Sequence, residues 1–287
     1  MSQMPEPQSG STLCLRPEGF RRMAWVEWGR SEHPLVVCAH GLTRSGRDFD
    51  FLAHALASHY HVVCPDILGR GQSDWLVDPA GYAYPGYLSD MTTLISRFGS
   101  PPTLWIGTSM GGLIGMLMAA LPGSPVQYLV MNDVGPFIDD ASLESIRNYV
   151  GDTPLFPDYS AAKSLVLDRY ADFGPIPESR QDHFVRYSLK SDPESGGFRF
   201  HYDPAIGLSL RATAGQDVGL WPVWESLTIP VLVLRGERSG LLSRETAHRM
   251  SMRPGTAVIE VKECGHAPSL MKEDQIDLLR SWISSIL

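Results

Sequence analysis

The 287-residue chain is short of positive charge, of cysteine and of long apolar runs. Its 24 Lys and Arg face 32 Asp and Glu, a formal net charge of −8. No basic run matches a phosphate backbone, so a nucleic-acid partner is not expected. No stretch approaches the roughly 20 apolar residues that cross a bilayer, so no membrane partner is expected either. Met1 to Phe20 contains Pro5, Pro7 and Gly10 and lacks the apolar core of a secretory signal. Cys14, Cys38, Cys64 and Cys264 lie far apart, with no CxxC and no metal-ligand spacing. They read as reduced thiols of a cytoplasmic protein. There is no Walker A loop, dinucleotide fingerprint or metal cluster, so no cofactor and no metal are expected. Monomer and homodimer are equally compatible with this sequence.

What is present is ordinary globular material, 43% apolar and 20% charged, with seven Trp, ten Tyr and ten Phe to bury. Twenty-seven Gly and 22 Pro are dispersed as punctuation rather than gathered into a tract. Residues 1–17 read as a loose arm. Arg21–Trp28 carries enough β-formers for a strand. Leu35–Ala39 is wholly apolar and ends at His40-Gly41, as suits a strand buried on both faces. The pattern repeats at Val62–Cys64, Leu104–Ile106, Tyr128–Met131, Val231–Leu234 and Ala257–Val261. Helix-length segments intervene at Phe49–Ser58, Tyr87–Phe98, Gly111–Leu121, Arg244–Met252 and Glu273–Ile286. Alternation of this kind predicts an α/β fold on a mostly parallel sheet, with ligands at the carboxyl ends of its strands.

The rhythm breaks between about Gly135 and Trp224. Helices are predicted there at Ser142–Val150, Ser160–Ala171 and Pro177–Lys190, followed by a turn at Ser195-Gly196-Gly197 and a run at Phe198–Tyr202. The expected organisation is a core of residues 1–135 and 225–287 with a helical cap inserted at 136–224.

Leu104–Ile106 runs into Gly107-Thr108-Ser109-Met110-Gly111-Gly112 and then a helix. G-x-S-x-G between strand and helix is the pattern of a nucleophile elbow, with an exposed serine hydroxyl and the Met110 amide aimed at the same point. The bare pattern arises readily by chance; its placement gives it weight. A serine hydroxyl needs a base, a group that orients the base, and donors for an oxyanion. His266, in Cys264-Gly265-His266-Ala267-Pro268 after the last strand, is the candidate base. His54, His59, His61 and His248 read as surface residues. The Leu42 amide, in His40-Gly41-Leu42-Thr43, is the candidate second oxyanion donor.

These motifs, with Asp66-Ile67-Leu68-Gly69-Arg70-Gly71-Gln72-Ser73 and Arg235-Gly236-Glu237, resemble the α/β-hydrolase superfamily over nearly the whole chain. The resemblance implies an eight-stranded α/β-hydrolase fold, a cap, and a triad in the order Ser, acid, His. It also implies a scaffold role for Asp66. A nucleophilic serine excludes the haloalkane dehalogenase branch, which uses aspartate there. The resemblance places the acid just after Arg235-Gly236, where Asp is expected at 240, but the residue is Gly240. Three readings stay open. Asp133, at the preceding strand end, supplies the acid; or position 240 was changed and the protein is weakened; or Glu237, or a water held by Ser239, does part of the job. A purely structural Asp133 competes with the first.

The expected reaction is cleavage of a carboxylic ester by water through an acyl-enzyme on Ser109. Small esters, lactones and hydroxyacid oligomers are the expected small-molecule substrates. Carbon–carbon hydrolysis of ring-fission products is an alternative, as is a non-catalytic ligand-binding protein. Arg44 is a candidate for meeting a substrate carboxylate, against the alternative of a solvated surface arginine. Trp221, among the aromatics of the inserted stretch, is a further candidate substrate contact.

Overall fold

The computed structural model describes residues 4–98 and 103–286. Its strands are β1 (Gln8–Arg16), β2 (Gly19–Trp28), β3 (Leu35–Ala39), β4 (His61–Pro65), β5 (Thr103–Thr108), β6 (Val126–Asn132), β7 (Phe137–Ile138), β8 (Leu189–Ser191), β9 (Phe198–Phe200), β10 (Val218–Gly219), β11 (Val231–Gly236) and β12 (Thr256–Val261). Eight of them form the main sheet in the order β1-β2-β4-β3-β5-β6-β11-β12. The β1–β2 and β2–β4 pairs are antiparallel and the rest parallel.

Alternation along the parallel strands divides the core into two layers. Val36, Cys38, Val62, Cys64, Leu104 and Ile106 point to one face. There they meet Leu52 and Leu56 of helix α1 (Asp50–Leu56) and, from the C-terminal helix, Ile276, Leu279 and Ile283. Val37, Val63, Trp105, Leu129 and Met131 point to the other. That face is covered by α2 (Tyr84–Phe98) and α3 (Met110–Ala119), through Met91, Leu94, Leu113 and Ile114. Burial on both sides explains why these strands are continuous apolar runs.

The segment between β6 and β11 adds no strand to this sheet. It carries α4 (Asp140–Tyr149), α5 (Tyr159–Arg169), α6 (Glu178–Ser188), α7 (Ile206–Arg211), α8 (Trp221–Glu225) and two two-stranded ribbons, β8–β9 and β7–β10. The remaining helices are α9 (Arg244–Ser251) and α10 (Glu273–Ile286). Among the described residues, no helix is long and apolar enough to cross a membrane.

Two expectations are corrected. Residues 8–16 are not a loose arm but a full edge strand, with only Cys14 and Arg16 of β1 buried; residues 1–3 lie outside the described residues. His61 is not a surface residue. It opens β4, is buried, and its Nε2 lies 2.6 Å from a Glu27 carboxylate oxygen on the adjacent strand.

Candidate active site

Three strand ends and one loop converge. Leu42 follows β3, Ser109 follows β5, Asp133 follows β6, and His266 stands in the loop between β12 and α10. The β5–α3 turn is sharp enough to hold Ser109 at φ 52°, ψ −117°. That left-handed backbone is costly for a non-glycine residue and persists where the surroundings over-determine it. The turn also demands its glycines. A Cβ at Gly107 would fall on the Gly111 carbonyl, and one at Gly111 on the Ala39 carbonyl.

Ser109, His266 and Asp133 form one hydrogen-bonded line. Ser109 Oγ is 2.9 Å from His266 Nε2, and His266 Nδ1 is 2.8 Å from Asp133 Oδ2. With the ring proton on Nδ1, the imidazole donates to the carboxylate and accepts from the serine. Asp133 is fully buried and also sits at positive φ, 57°. Its carboxylate takes two further bonds, from the Gly236 amide to Oδ1 and from the Ser239 hydroxyl to Oδ2, both 2.6 Å. Ser239 was expected to act through a held water; its direct bond to Asp133, and that of Gly236, were not foreseen, because each becomes a neighbour of Asp133 only through the parallel pairing of β6 with β11. Buried Asn132 adds another tie. Its amide donates to Thr108 Oγ1 at 3.0 Å and to the Pro268 carbonyl at 2.8 Å, joining β5 to the His266 loop.

Beside the serine, the Leu42 and Met110 amides have no acceptor among the described residues. The carbonyl of the Gly41–Leu42 peptide accepts from His40 Nδ1 at 2.7 Å and from the Arg44 amide at 3.2 Å. Because N–H and C=O of a trans peptide point opposite ways, these bonds turn the Leu42 N–H outward. His40 is itself fixed. Its Nε2 accepts from the Ile67 amide at 3.0 Å, and burial lowers its pKa to about 3, so the ring stays neutral.

A second buried group bears on the same loop. Arg70 is fully buried and has no carboxylate partner among the described residues. It donates to the Leu42 and Leu68 carbonyls at 2.8 Å and to the Tyr87 hydroxyl at 3.0 Å, and Nη2 lies 3.5 Å from Met110 Sδ. A cation thus contacts both residues whose amides are left without an acceptor. Asp66 does hold structure: its carboxylate accepts from the Gly46 and Gln72 amides.

Ser109 opens onto a cavity of about 390 Å³ with mainly apolar walls, among them Leu42, Met110, Leu113, Val134, Leu143 and Ile206.

A family model described as the alpha/beta hydrolase family matches residues 36–278. The chain belongs to that family. It is similar to a 3-hydroxybutyrate-oligomer hydrolase from Cupriavidus necator, with 43% identity across 94% of this chain and 95% of the relative. It is 28% identical, over 81% of each chain, to a 2-(acetamidomethylene)succinate hydrolase from Mesorhizobium japonicum. Among solved structures, an alpha/beta hydrolase from Novosphingobium aromaticivorans superposes with a TM-score of 0.87 at 33% identity. That match covers 98% of this chain and 100% of the other.

In this hydrolase the other candidate residues fall as follows. Arg44 is buried, not solvated. Its fork donates to both oxygens of Asp48, at 2.8 and 2.6 Å, and to Ser188 Oγ at 2.5 Å, while Phe184 stacks at 3.9 Å. It ties the loop after β3 to α6, with each of its three nitrogens engaged. Trp221 is absent from the cavity wall and stacks on Arg249 at 3.7 Å. The Glu237 carboxylate accepts from the Glu263 amide. Gly240 is exposed, with open space where a side chain would begin.

Proposed function

We propose that this alpha/beta hydrolase cleaves carboxylic esters by an acyl-enzyme mechanism, with short hydroxyacid oligomers as its substrate class. The observation that carries the reading is the hydrogen-bonded line from Asp133 through His266 to Ser109. It supplies nucleophile, base and orienter at bonding distance. The Cupriavidus necator relative, named for 3-hydroxybutyrate oligomers, supports the substrate class. The apolar cavity beside Ser109 suits a short aliphatic acyl chain.

In the first half-reaction, Ser109 Oγ attacks the ester carbonyl carbon and its proton moves to His266 Nε2. The carbonyl oxygen becomes an oxyanion facing the Leu42 and Met110 amides. Asp133 balances the imidazolium through Nδ1. The carbon–oxygen bond to the alcohol then breaks, and that alcohol oxygen takes the Nε2 proton. Water repeats the sequence on the acyl-enzyme: His266 removes its proton, hydroxide adds to the acyl carbon, and Ser109 leaves with the proton returned. Residues 136–224 act as the cap over the cavity, contributing Ile138, Leu143 and Ile206 to its wall.

Asp133 in the acid's place also supports activity despite Gly240, against a purely ligand-binding protein. The test is hydrolysis of a 3-hydroxybutyrate dimer and of p-nitrophenyl butyrate by the wild type and by Ser109→Ala, with fluorophosphonate labelling of both. Turnover and labelling should both vanish in Ser109→Ala. A variant as active as the wild type would remove Ser109 from the mechanism.

A further inference from the structure

We infer that a cleft beside His266 receives the alcohol half of the ester, that Gly240 sets its width, and that Arg169 engages a carboxylate carried by that half. The inference rests on the ester-hydrolase reading above and extends it to the leaving group.

The cavity of about 390 Å³ has Ser109 in its wall and not His266. A second cleft, of about 330 Å³, has His266 in its wall and not Ser109. The two share Ile146 and Leu241, so they adjoin across the reacting pair. The chemistry assigns their contents. The acyl carbon bonds to Ser109 Oγ, so the acyl chain stays on the serine side. The alcohol oxygen takes its proton from His266 Nε2, so the departing half lies on the histidine side.

The walls differ accordingly. The serine side is mainly apolar. The histidine side presents Ser142, Ser145, Arg169, Tyr170 and Asp172. Arg169 spends two nitrogens on Asp152, on its carbonyl and its carboxylate, both at 3.1 Å. That carboxylate is 62% exposed, so solvent weakens the pair. The Arg169 Nε has no partner among the described residues. A guanidinium in this state suits a planar carboxylate. A hydroxyacid oligomer supplies one at the end of every leaving half. Asp172 faces the same cleft from against Gly265 and opposes that anion. Recognition therefore depends on direct bonds to Arg169 rather than on a net positive field.

Gly240 borders this cleft beside His266, and a Cβ built there meets nothing within 4 Å. Its lack of a side chain leaves the cleft open next to the base.

The test compares cleavage of the ester of one 3-hydroxybutyryl group in three substrates: methyl 3-hydroxybutyrate, the 3-hydroxybutyrate dimer, and the dimer's terminal methyl ester, whose internal cleavage is read as initial release of methyl 3-hydroxybutyrate. For Gly240→Leu, kcat/KM for the dimer relative to methyl 3-hydroxybutyrate should fall at least tenfold, with Gly240→Ala intermediate. For Arg169→Gln, the ratio of free-acid dimer to its methyl ester should fall about tenfold, through KM. Asp172→Asn should move that ratio the other way. Because each readout is a ratio within one protein, partial loss of folded enzyme leaves it intact. The inference is overturned if Gly240→Leu changes the small and large leaving groups alike, or if Arg169→Gln affects free acid and methyl ester equally. A wild type that cleaves methyl 3-hydroxybutyrate but neither dimer overturns it and leaves the ester-hydrolase reading standing. A wild type that cleaves no ester overturns both.

Discussion

Replacing Asp133 by Asn tests the proposed acid at its most constrained point. The carboxylate accepts three hydrogen bonds with two oxygens, from Gly236, Ser239 and His266. An amide has one acceptor oxygen. The Gly236 N–H is backbone and cannot turn away, so it claims that oxygen. The NH2 group then faces Ser239 and His266. Ser239 Oγ already accepts from the Leu241 and Leu242 amides, so it offers that NH2 no acceptor. His266 Nδ1 cannot donate to an NH2, so the imidazole moves its proton to Nε2, 2.9 Å from Ser109 Oγ. A protonated Nε2 accepts nothing, and the base is lost. The same tautomer trap in a serine triad costs about 10⁴ in kcat, or about 5 kcal/mol of transition-state stabilisation. The assay is kcat for p-nitrophenyl butyrate at neutral pH, with circular dichroism to show that the fold survives. A kcat within tenfold of the wild type would refute the assignment. Gly240→Asp alone is expected to bring no gain, because Nδ1 already has its carboxylate. A tenfold rise in that variant would point to an acid at 240 instead.

Other consequences are simpler to read. Arg70→Met removes the cation that contacts Leu42 and Met110; kcat should fall about 10- to 100-fold as the oxyanion donors lose their placement, and denaturant unfolding should show a loss of about 2–4 kcal/mol from the carbonyls left unpaired. Unchanged kcat would remove Arg70 from the oxyanion site. His40 should show no imidazole titration by NMR between pH 5 and 8, since its folded pKa is about 3 against 6.5 for a free ring. The sign of its effect on stability follows. As pH falls below 6.5 the unfolded chain takes a proton that the folded chain refuses until about 3, so this contribution to stability is lost across that window. Asp66 and Asp90, raised by burial to about 6 from 3.8, act in the opposite sense between those values. Trp221→Ala should leave kcat/KM for the dimer within about threefold and cost about 0.5–1 kcal/mol of cation–π stabilisation, measured by urea unfolding. A tenfold rise in KM would return Trp221 to the substrate contacts.

The parallel strands were legible because burial on two faces leaves a mark that needs no partner to be seen: β3 is Leu-Val-Val-Cys-Ala and every residue is buried. The edge strand β1 was not. It hides only one face, so Leu13 and Leu15 stay exposed, and Pro5, Pro7 and Gly10 just before or within it read as loop. Ser109 was legible for a different reason. The elbow is a local steric problem, and its glycines are adjacent in sequence. Arg44 shows the limit. It read as a solvated residue or a substrate contact because, although Asp48 is only four residues on, its other partner, Ser188, arrives from α6.

The proposed acid was the hardest residue to place, and the sheet explains why. β6 and β11 are parallel neighbours, with Asn132 opposite Leu234. The Asp133 amide donates to the Leu234 carbonyl at 2.8 Å, so the two chains are still paired one residue past that point. The carboxyl ends of both strands therefore open on the same side of the His266 ring. Asp133 leaves the end of β6 with its carboxylate 2.8 Å from Nδ1, and Gly240, past the end of β11, lines a cleft with the same histidine. From the end of β11 come the Gly236 amide and the Ser239 hydroxyl, and both donate to Asp133. The strand that lacks the acid thus supplies the bonds that hold the acid of its neighbour. In the proposed triad that division of labour leaves position 240 without the acid's role, and a residue with no side chain there serves the proposed leaving-group cleft instead.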